Sequence, residues 1–391
     1  MENVRVIKKI LIANRGEIAC RIIRTARQMG IATVAIYAES DINAPFVKEA
    51  DAAIGLTGQT PGETYLDTDQ VLRACKTSGA DALHPGYGFL SENTGFARVI
   101  EDNGITFIGP SVTAIDKMGD KLSAKKIMTE AGVPTLPAIE LSADADVSAA
   151  AEKIGYPVLV KATAGGGGRG MRVVDSVDQL ADAVASAKRE AGAAFGNDTL
   201  FLERWLTSSR HVEIQILGDQ QGNVVHCFER ECSIQRRHQK IIEEAPSPAV
   251  TAELRQAMGA AAVSAAQSLG YYSTGTVEFL LDGDEFWFLE VNTRLQVEHP
   301  VTEEITGIDL VREQIRVAEG ATLSFNQSEL TFKGHAIEAR LYAENPENNF
   351  LPSPGTVVAW KPSSSGNARF DSGIESGSII STQFDPMIAK V

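Results

Sequence analysis

Carboxylates that face one another across two paired strands constrain a chain strongly, because they repel unless a cation separates them. Residues 274–298 carry such a pair. Thr274 to Leu281 alternates as a strand, Asp282-Gly-Asp-Glu285 carries a turn, and Phe286 to Asn292 reads as the returning strand of a β-hairpin. Folding about that turn brings Glu278 roughly opposite Glu290. In extended backbone successive side chains alternate in face. Glu290, Asn292, Arg294 and Gln296 of Glu290-Val-Asn-Thr-Arg-Leu-Gln-Val-Glu298 are therefore expected on one side. Glu278, Glu290 and Asn292 form an all-oxygen set, which suits Mg²⁺ or Mn²⁺ held by one or two carboxylates together with substrate phosphates. The alternative is a solvated hairpin face on which Arg294 pairs with a glutamate.

The flanking pattern is α/β. Ile7 to Ala13 reads as a strand, Asn14-Arg15-Gly16 as a turn, Glu17 to Met29 as a helix and Ala32 to Tyr37 as the next strand, a βαβ unit of a doubly wound sheet. A helix over Leu66 to Ser78 and a short buried strand at Ala82-Leu83 continue it. His84-Pro-Gly-Tyr-Gly-Phe-Leu-Ser-Glu-Asn93 is dense in turn formers and polar tips, the composition of a ligand-lining loop. Gly119-Asp120 opens a helix from Lys121 to Ala131. A small module follows from about Pro134 to Leu206, with helices near Asp146 to Ile154 and Val177 to Ala194. A β-rich segment begins at Gly334.

Bulk properties narrow the function. With 391 residues the chain holds two or three domains. A formal charge of -15 argues against a nucleic-acid surface, which needs a basic face. Cys20, Cys75, Cys227 and Cys232 show no paired C-x-x-C spacing and no disulfide framework, so the reducing cytoplasm is the expected compartment. No apolar run reaches membrane-spanning length.

Ala162-Thr-Ala-Gly-Gly-Gly-Gly-Arg-Gly170 lies between a strand ending at Lys161 and a strand from Met171 to Val174. Glycine admits close backbone approach and positive φ, so the run predicts a mobile flap whose amides cover phosphates, with Lys161 adding a point charge. It lacks both the lysine of a P-loop and the following helix of a dinucleotide fingerprint; a flexible linker is the competing reading. Phe201-Leu-Glu-Arg-Trp-Leu206 fits either an adenine pocket with a carboxylate acceptor or an ordinary core strand. Glu229 to Lys240 concentrates cations in an acidic chain, as an anion-handling segment or a solvated charged loop does. His299 is expected to be structural. Cys232 is expected to be inert, since no activating base accompanies it.

His84 to Asn93, Met118-Gly-Asp-Lys121, the glycine flap, Arg210-His-Val-Glu-Ile-Gln215, Gln235-Arg-Arg-His-Gln-Lys240 and Glu290 to Glu298 occur in order along the chain. Together they resemble the biotin carboxylase component of biotin-dependent carboxylases, over essentially the whole length. The resemblance implies an N-terminal doubly wound α/β domain (1–114), a central ATP-grasp fold (115–330) with a mobile lid subdomain at about 134–206, and a β-rich C-terminal domain (331–391). That last domain is expected to be truncated, because the family continues beyond Val391. ATP, Mg²⁺ or Mn²⁺, and carrier-bound biotin are the implied cofactors and substrates.

Carried over by position, Lys121, Lys161 and His238 would meet the phosphates, beneath Gly165, Gly166, Gly167 and Gly168. Met171 would contact the nucleotide, Glu203, Leu206 and Leu280 would frame the adenine, and His211 with Gln235 the ribose. Glu278, Glu290 and Asn292 would hold metal. Lys240, Arg294, Gln296 and the Val297 amide would cradle bicarbonate, Glu298 would take its proton, and Arg340 would stabilise the biotin enolate. Bicarbonate would attack the γ-phosphoryl group, giving carboxyphosphate and then CO₂ for biotin. No Met-Lys-Met attachment motif is present, so a biotin carboxyl carrier and a carboxyltransferase are expected as partners, with a homodimer implied. Two rival readings are another ATP-grasp ligase that makes an acyl phosphate, and a nucleotide-binding assembly partner without activity. The final carboxyl acceptor is not written in this chain.

Overall fold

Ile10 and Ile12 point to one side of the strand Lys9–Ile12 and Leu11 to the other, and all three are fully buried. A strand apolar on both faces needs a covering layer on each. The computed structural model, which describes residues 5–142, 146–163, 171–363, 366 and 368–391, shows both layers. On one side lies helix Gly16–Gln28, whose Ile18, Ile22 and Ala26 pack with Ile10, Ile12 and Ala35. On the other lie helices Thr68–Ser78 and Thr94–Asp102, whose Val71, Cys75, Phe96 and Ile100 pack with Leu11, Val34 and Leu83. The sheet is parallel, in the order Ala52–Gly55, Ala32–Tyr37, Lys9–Ile12, Ala82–His84, Thr106–Phe107. This is the doubly wound unit expected. Helix Thr94–Asp102 is an addition to the sequence reading, started by the Asn93 side chain accepting from the Phe96 N–H.

In the central sheet the two faces divide by polarity. Val212, Ile214 and Ile216 of strand Arg210–Gly218 join Val277 and Phe279 of strand Ser273–Asp282 under helix Ala252–Leu269. The alternate residues Glu213, Gln215, Thr276 and Glu278 face the opposite way and are equally buried. The sheet has eight strands, in the order Glu285–Asn292, Ser273–Asp282, Arg210–Gly218, Val224–Arg236, Gln239–Ala245, Ala336–Tyr342, Met387–Lys390, Asp371–Ser372. The segment after Gly334 therefore continues this sheet, through Glu243 opposite Glu338 and Ile242 opposite Ala339.

The hairpin forms as expected, with Glu278 opposite Glu290 and a turn at Gly283-Asp284, where Gly283 has φ of 59°. One expectation needs correction, and one open alternative is closed. The returning strand ends at Asn292, so alternation does not carry Arg294 and Gln296 onto its face. The cation-rich run is no loop: Val224–Arg236 and Gln239–Ala245 are paired strands, joined at Arg237 and His238 with φ of 52° and 64°.

A four-stranded antiparallel sheet, ordered Ala138–Leu141, Leu200–Arg204, Val158–Ala162, Arg172–Val174, packs with helices Val147–Ile154 and Val177–Phe195. The flap glycines Gly165, Gly166, Gly167 and Gly168 lie outside the described residues. Among the described residues no helix is long and apolar enough to cross a membrane.

His84, at the end of its strand, is fully buried between Gly86 N–H, 3.0 Å from Nδ1, and Gln314 Oε1, 3.2 Å from Nε2. Burial pushes the imidazole down to about 3, against the opposing pull of Gln314. An unfolded histidine protonates near pH 6.5. Between that value and about 3 the unfolded state therefore takes a proton that the folded state refuses, and stability falls with pH. The thermal midpoint should drop on acidification through this window, with a shallower slope in His84→Gln. An identical slope in both proteins would exclude His84 as the source.

Candidate active site

Register places Glu213 opposite Glu278, and Glu278 opposite Glu290, so three carboxylates stand abreast on neighbouring strands. Such a row is untenable without cations. Lys240 supplies one: its Nζ donates to Glu213 Oε2 at 2.6 Å, Glu278 Oε1 at 2.8 Å and Glu298 Oε1 at 2.8 Å. Arg230, with no exposed surface, donates to Glu213 Oε1 at 2.5 Å and Gln215 Oε1 at 2.7 Å. His211 Nε2 lies 2.5 Å from Glu278 Oε2, and its Nδ1 is 3.0 Å from Gln235 Nε2. Burial raises the pKa of Glu278, but Lys240 and His211 outweigh it and hold the carboxyl well below the ordinary range.

Glu290 behaves oppositely. Burial, and then the charge of Glu278, push its carboxyl up, with Lys121 pulling the other way. Its carboxylate makes no hydrogen bond or ion pair among the described residues. Asn292 sits between, donating Nδ2 to Glu278 Oε1 at 2.7 Å and accepting from Arg294 at 3.1 Å. Two carboxylates, one held ionised by cations and one raised by burial and then by its neighbour, and an amide oxygen match the donor chemistry of a hard divalent cation, so the residues fit Mg²⁺ or Mn²⁺.

Arg294, Gln296 and Glu298 reach this region through the irregular segment after Asn292. Arg294 donates to Gln296 Oε1 at 2.7 Å, and Gln296 donates to Glu278 Oε1 at 2.9 Å. Arg294 also pairs with a glutamate, as the alternative reading of the hairpin allowed, but the partner is Glu92 at 2.9 Å, from the loop after His84. Glu298 has no exposed surface and lies under two cations, Lys240 and Arg340, the latter 3.0 Å from Oε2. Burial opposes its ionisation; Lys240, Arg340 and Arg230 overcome this and hold it well below the usual carboxylate range. The Val297 carbonyl accepts from Lys390 Nζ at 2.7 Å. Its N–H has no acceptor among the described residues.

At the other end of the cleft, Asp120 caps helix Lys121–Glu130 by accepting from Ser123 N–H, which seats Lys121 on the first turn and Lys125 one turn on. Glu203 was expected as an acceptor for an adenine amino group. In the structure it is ion-paired with Lys125 and, at 2.5 Å, with Lys161, and these amines keep it ionised despite burial. Lys161 is correspondingly drawn to Glu203. Leu159, Met171, Trp205, Leu206 and Leu280 supply apolar walls, and His238 joins the rim from the turn.

Lys121, Lys161, Glu203, His211, Gln235, Lys240, Glu278, Glu290, Asn292, Arg294, Gln296 and Arg340 border one cleft of about 520 Å³, and Glu298 bonds to its lining through Lys240 and Arg340. A second cavity, of about 510 Å³, shares Gln239, Arg294, Val297 and Arg340 with it and is bounded beyond them by Tyr87 and Glu92.

Sequence reasoning missed Lys125, Leu159, Glu92, Glu213 and Lys390. Lys125 is four positions from Lys121 on one helix, and Leu159 alternates with Lys161 on one strand, so both were legible from periodicity. His299 is structural as expected, buried with Nδ1 2.7 Å from Gln296 O. Burial pushes the Cys232 thiol well above its ordinary value, consistent with inertness.

Residues 6–115 match the profile of the biotin carboxylase N-terminal domain, 120–326 that of the carbamoyl-phosphate synthase L chain ATP-binding domain, and 338–391 that of the biotin carboxylase C-terminal domain. The mitochondrial methylcrotonoyl-CoA carboxylase subunit alpha of Oryza sativa subsp. japonica is 53% identical over 391 residues, covering 98% of this chain and 53% of its own. The chain thus spans about half the length of the carboxylase alpha subunits it matches. Biotin carboxylase 1 of Bacillus subtilis is 49% identical over 98% of this chain and 86% of its own. The biotin carboxylase domain dimer of Hydrogenobacter thermophilus 2-oxoglutarate carboxylase, solved with MgADP, ADP and bicarbonate, superposes with a TM-score of 0.94 at 47% identity, over 99% of this chain and 86% of that one. Domain profiles, relatives and solved structures agree: this chain belongs to the biotin carboxylase family.

Proposed function

We propose that this chain carboxylates biotin, spending ATP and bicarbonate, as the first half-reaction of a biotin-dependent carboxylase. The observation that carries the reading is Lys240: one ammonium joins the carboxylates beside the metal-type donor set to Glu298, so nucleotide and anion chemistry share a site. The relative solved with MgADP and bicarbonate supports it.

In this reading Glu278, Glu290 and Asn292 hold Mg²⁺ or Mn²⁺, which neutralises phosphate charge and favours γ-phosphoryl transfer when bound. Lys121 and Lys161 bind the phosphates, Lys161 exchanging its bond to Glu203. Gly165, Gly166, Gly167 and Gly168, which lie outside the described residues, belong to the run proposed to contact the phosphates. His238 stands near the phosphates, Met171 contacts the nucleotide, His211 and Gln235 take the ribose, and Glu203, Leu206 and Leu280 take the adenine.

Bicarbonate is a poor nucleophile. Arg294, Gln296, the Val297 N–H and Lys240 hold it while Glu298 removes its proton as the oxygen attacks phosphorus. A carboxylate held this far below its ordinary range is a weak base by itself. An anion docked on Lys240 and Arg294 draws part of the same positive charge away, which raises the proton affinity of Glu298 at the moment of need.

Carboxyphosphate then yields CO₂ and phosphate. Phosphate takes the N1′ proton of biotin, and Arg340 stabilises the enolate that attacks CO₂. Biotin reaches Arg340 from the second cavity, since that space shares Arg340 and Arg294 with the nucleotide cleft. A biotin carboxyl carrier and a carboxyltransferase are the proposed partners, with pairing into a homodimer. The cytoplasm is the proposed location; Cys20, Cys75, Cys227 and Cys232 are all free and buried.

An ATPase assay with free biotin, with and without bicarbonate, tests the reading: turnover should require both. ATP hydrolysis indifferent to biotin would reject it. Glu298→Gln should keep nucleotide affinity but lose roughly a hundredfold or more in bicarbonate-dependent turnover. Parallel loss of affinity and turnover would remove Glu298 from the role of base. Glu290→Lys should abolish metal-dependent ATP cleavage while leaving the fold intact by circular dichroism. Undiminished cleavage would take Glu290 out of the metal set.

A further inference from the structure

Glu243 and Glu338 are register partners on the adjacent strands Gln239–Ala245 and Ala336–Tyr342, and antiparallel partners share a face. Both are buried, at 0% and 3% exposure. Neighbours on the same strand, Ile337 and Leu341, are 61% and 40% exposed, so Glu338 occupies the inner face by placement and not by general burial of the strand. Glu243 Oε1 accepts from Arg340 Nε at 2.6 Å. Glu243 Oε2 and Glu338 Oε1 have no hydrogen-bond partner among the described residues.

Two buried carboxylates side by side, each with an unmet oxygen, are unstable if both are charged. The surrounding groups do not remove the problem. Arg340 is already divided between Glu243 and Glu298. Lys240 serves Glu213, Glu278 and Glu298. Lys390, on the strand beyond, spends its ammonium on Val297 O and on Glu17 Oε2 at 3.3 Å. The nearby thiol of Cys232 contributes no positive charge.

We propose that Glu243 and Glu338 form a proton-sharing acid pair behind Arg340, and that the shared proton keeps the guanidinium charge available to the anion in the cleft. The first part stands on the pairing, the burial and the orphaned oxygens alone; the second rests on the role proposed above for Arg340. In agreement, burial pushes Glu243 up to about 7, against Arg340 and with Glu298, and pushes Glu338 well above its ordinary value, against Lys390 and with Glu243. If both carboxyls were charged, Glu243, Glu298 and Glu338 would together claim Arg340, leaving little field for an enolate. With one proton held between the pair, Arg340 faces a single full charge on that side.

The sign of the linkage follows. A carboxyl whose folded pKa is raised keeps a proton that the unfolded chain gives up above about 4.5. The native protein therefore loses stability as pH rises above that value, and removal of the acid restores it.

Infrared difference spectra of the unaltered protein against Glu338→Gln, in deuterated buffer at neutral pH, read the proton directly. A protonated-carboxyl carbonyl band should be present in the unaltered protein and lost in the variant. The thermal midpoint of Glu338→Gln should exceed that of the unaltered protein by a margin that grows with pH. The alkaline limb of biotin-dependent turnover should move up by about one pH unit, with the KM for ATP unchanged. Should Glu338→Gln fail to fold, Glu243→Gln carries the same infrared test. A band unaffected by either substitution overturns proton sharing; a lost band with an unmoved alkaline limb overturns the link to Arg340. A lost band in a protein without biotin-dependent turnover leaves the acid pair standing and instead rejects the function proposed for the site.

Discussion

The ammonium of Lys240 is the interaction on which the rest of the site depends. Three strands present Glu213, Glu278 and Glu290 abreast, and the chain after Asn292 brings Glu298 to the same place. One cation bonded to Glu213, Glu278 and Glu298 converts a repulsive array into a connected network. Breaking a buried network of this kind by removing one partner costs about 3–5 kcal/mol, because the remaining charges are left unmatched. The geometry is thus held by electrostatics that hydrophobic side chains of equal volume would satisfy more cheaply. Its retention fits a surface meant to receive anions.

The sheet makes this possible by dividing its faces. Val212, Ile214 and Ile216 of Arg210–Gly218 and Val277, Phe279 and Leu281 of Ser273–Asp282 share an apolar cluster with helix Ala252–Leu269, and this layer supports the face that carries the glutamates. Charged groups on that face need not hold the fold together, because the helix side does so. Extension of the same sheet through Ala336–Tyr342 to Met387–Lys390 then delivers Arg340 to Glu298 and Lys390 to the carbonyl of Val297.

Local features were legible. The hairpin follows from a two-residue turn between alternating strands, but counting outward from Gly283-Asp284 reaches Leu289 opposite Glu278, and it is a one-residue register shift between Glu278 and Phe279 that sets Glu290 there. Helix Lys121–Glu130 follows from the Gly119-Asp120 start, with Asp120 as its cap. Extrapolation failed where alternation continued in the letters but not in the backbone. Arg294 and Gln296 keep the two-residue spacing of Glu290 and Asn292, yet the chain leaves the sheet at Asn292 and they converge through side-chain bonds instead. The partner of Arg294 comes from Glu92, about two hundred residues away, and no periodicity couples such positions.

Sequence alone determined the hairpin, the doubly wound N-terminal unit and, through several motifs in order, the family, because each rests on spacing along the chain that elementary strand and helix geometry converts into position. Tertiary structure alone decided which charges neutralise which: Lys240 among three carboxylates, Glu203 between Lys125 and Lys161, Arg340 between Glu243 and Glu298. Ion pairs act through distance in space and through the dielectric that burial creates, and neither quantity exists until the sheet has closed.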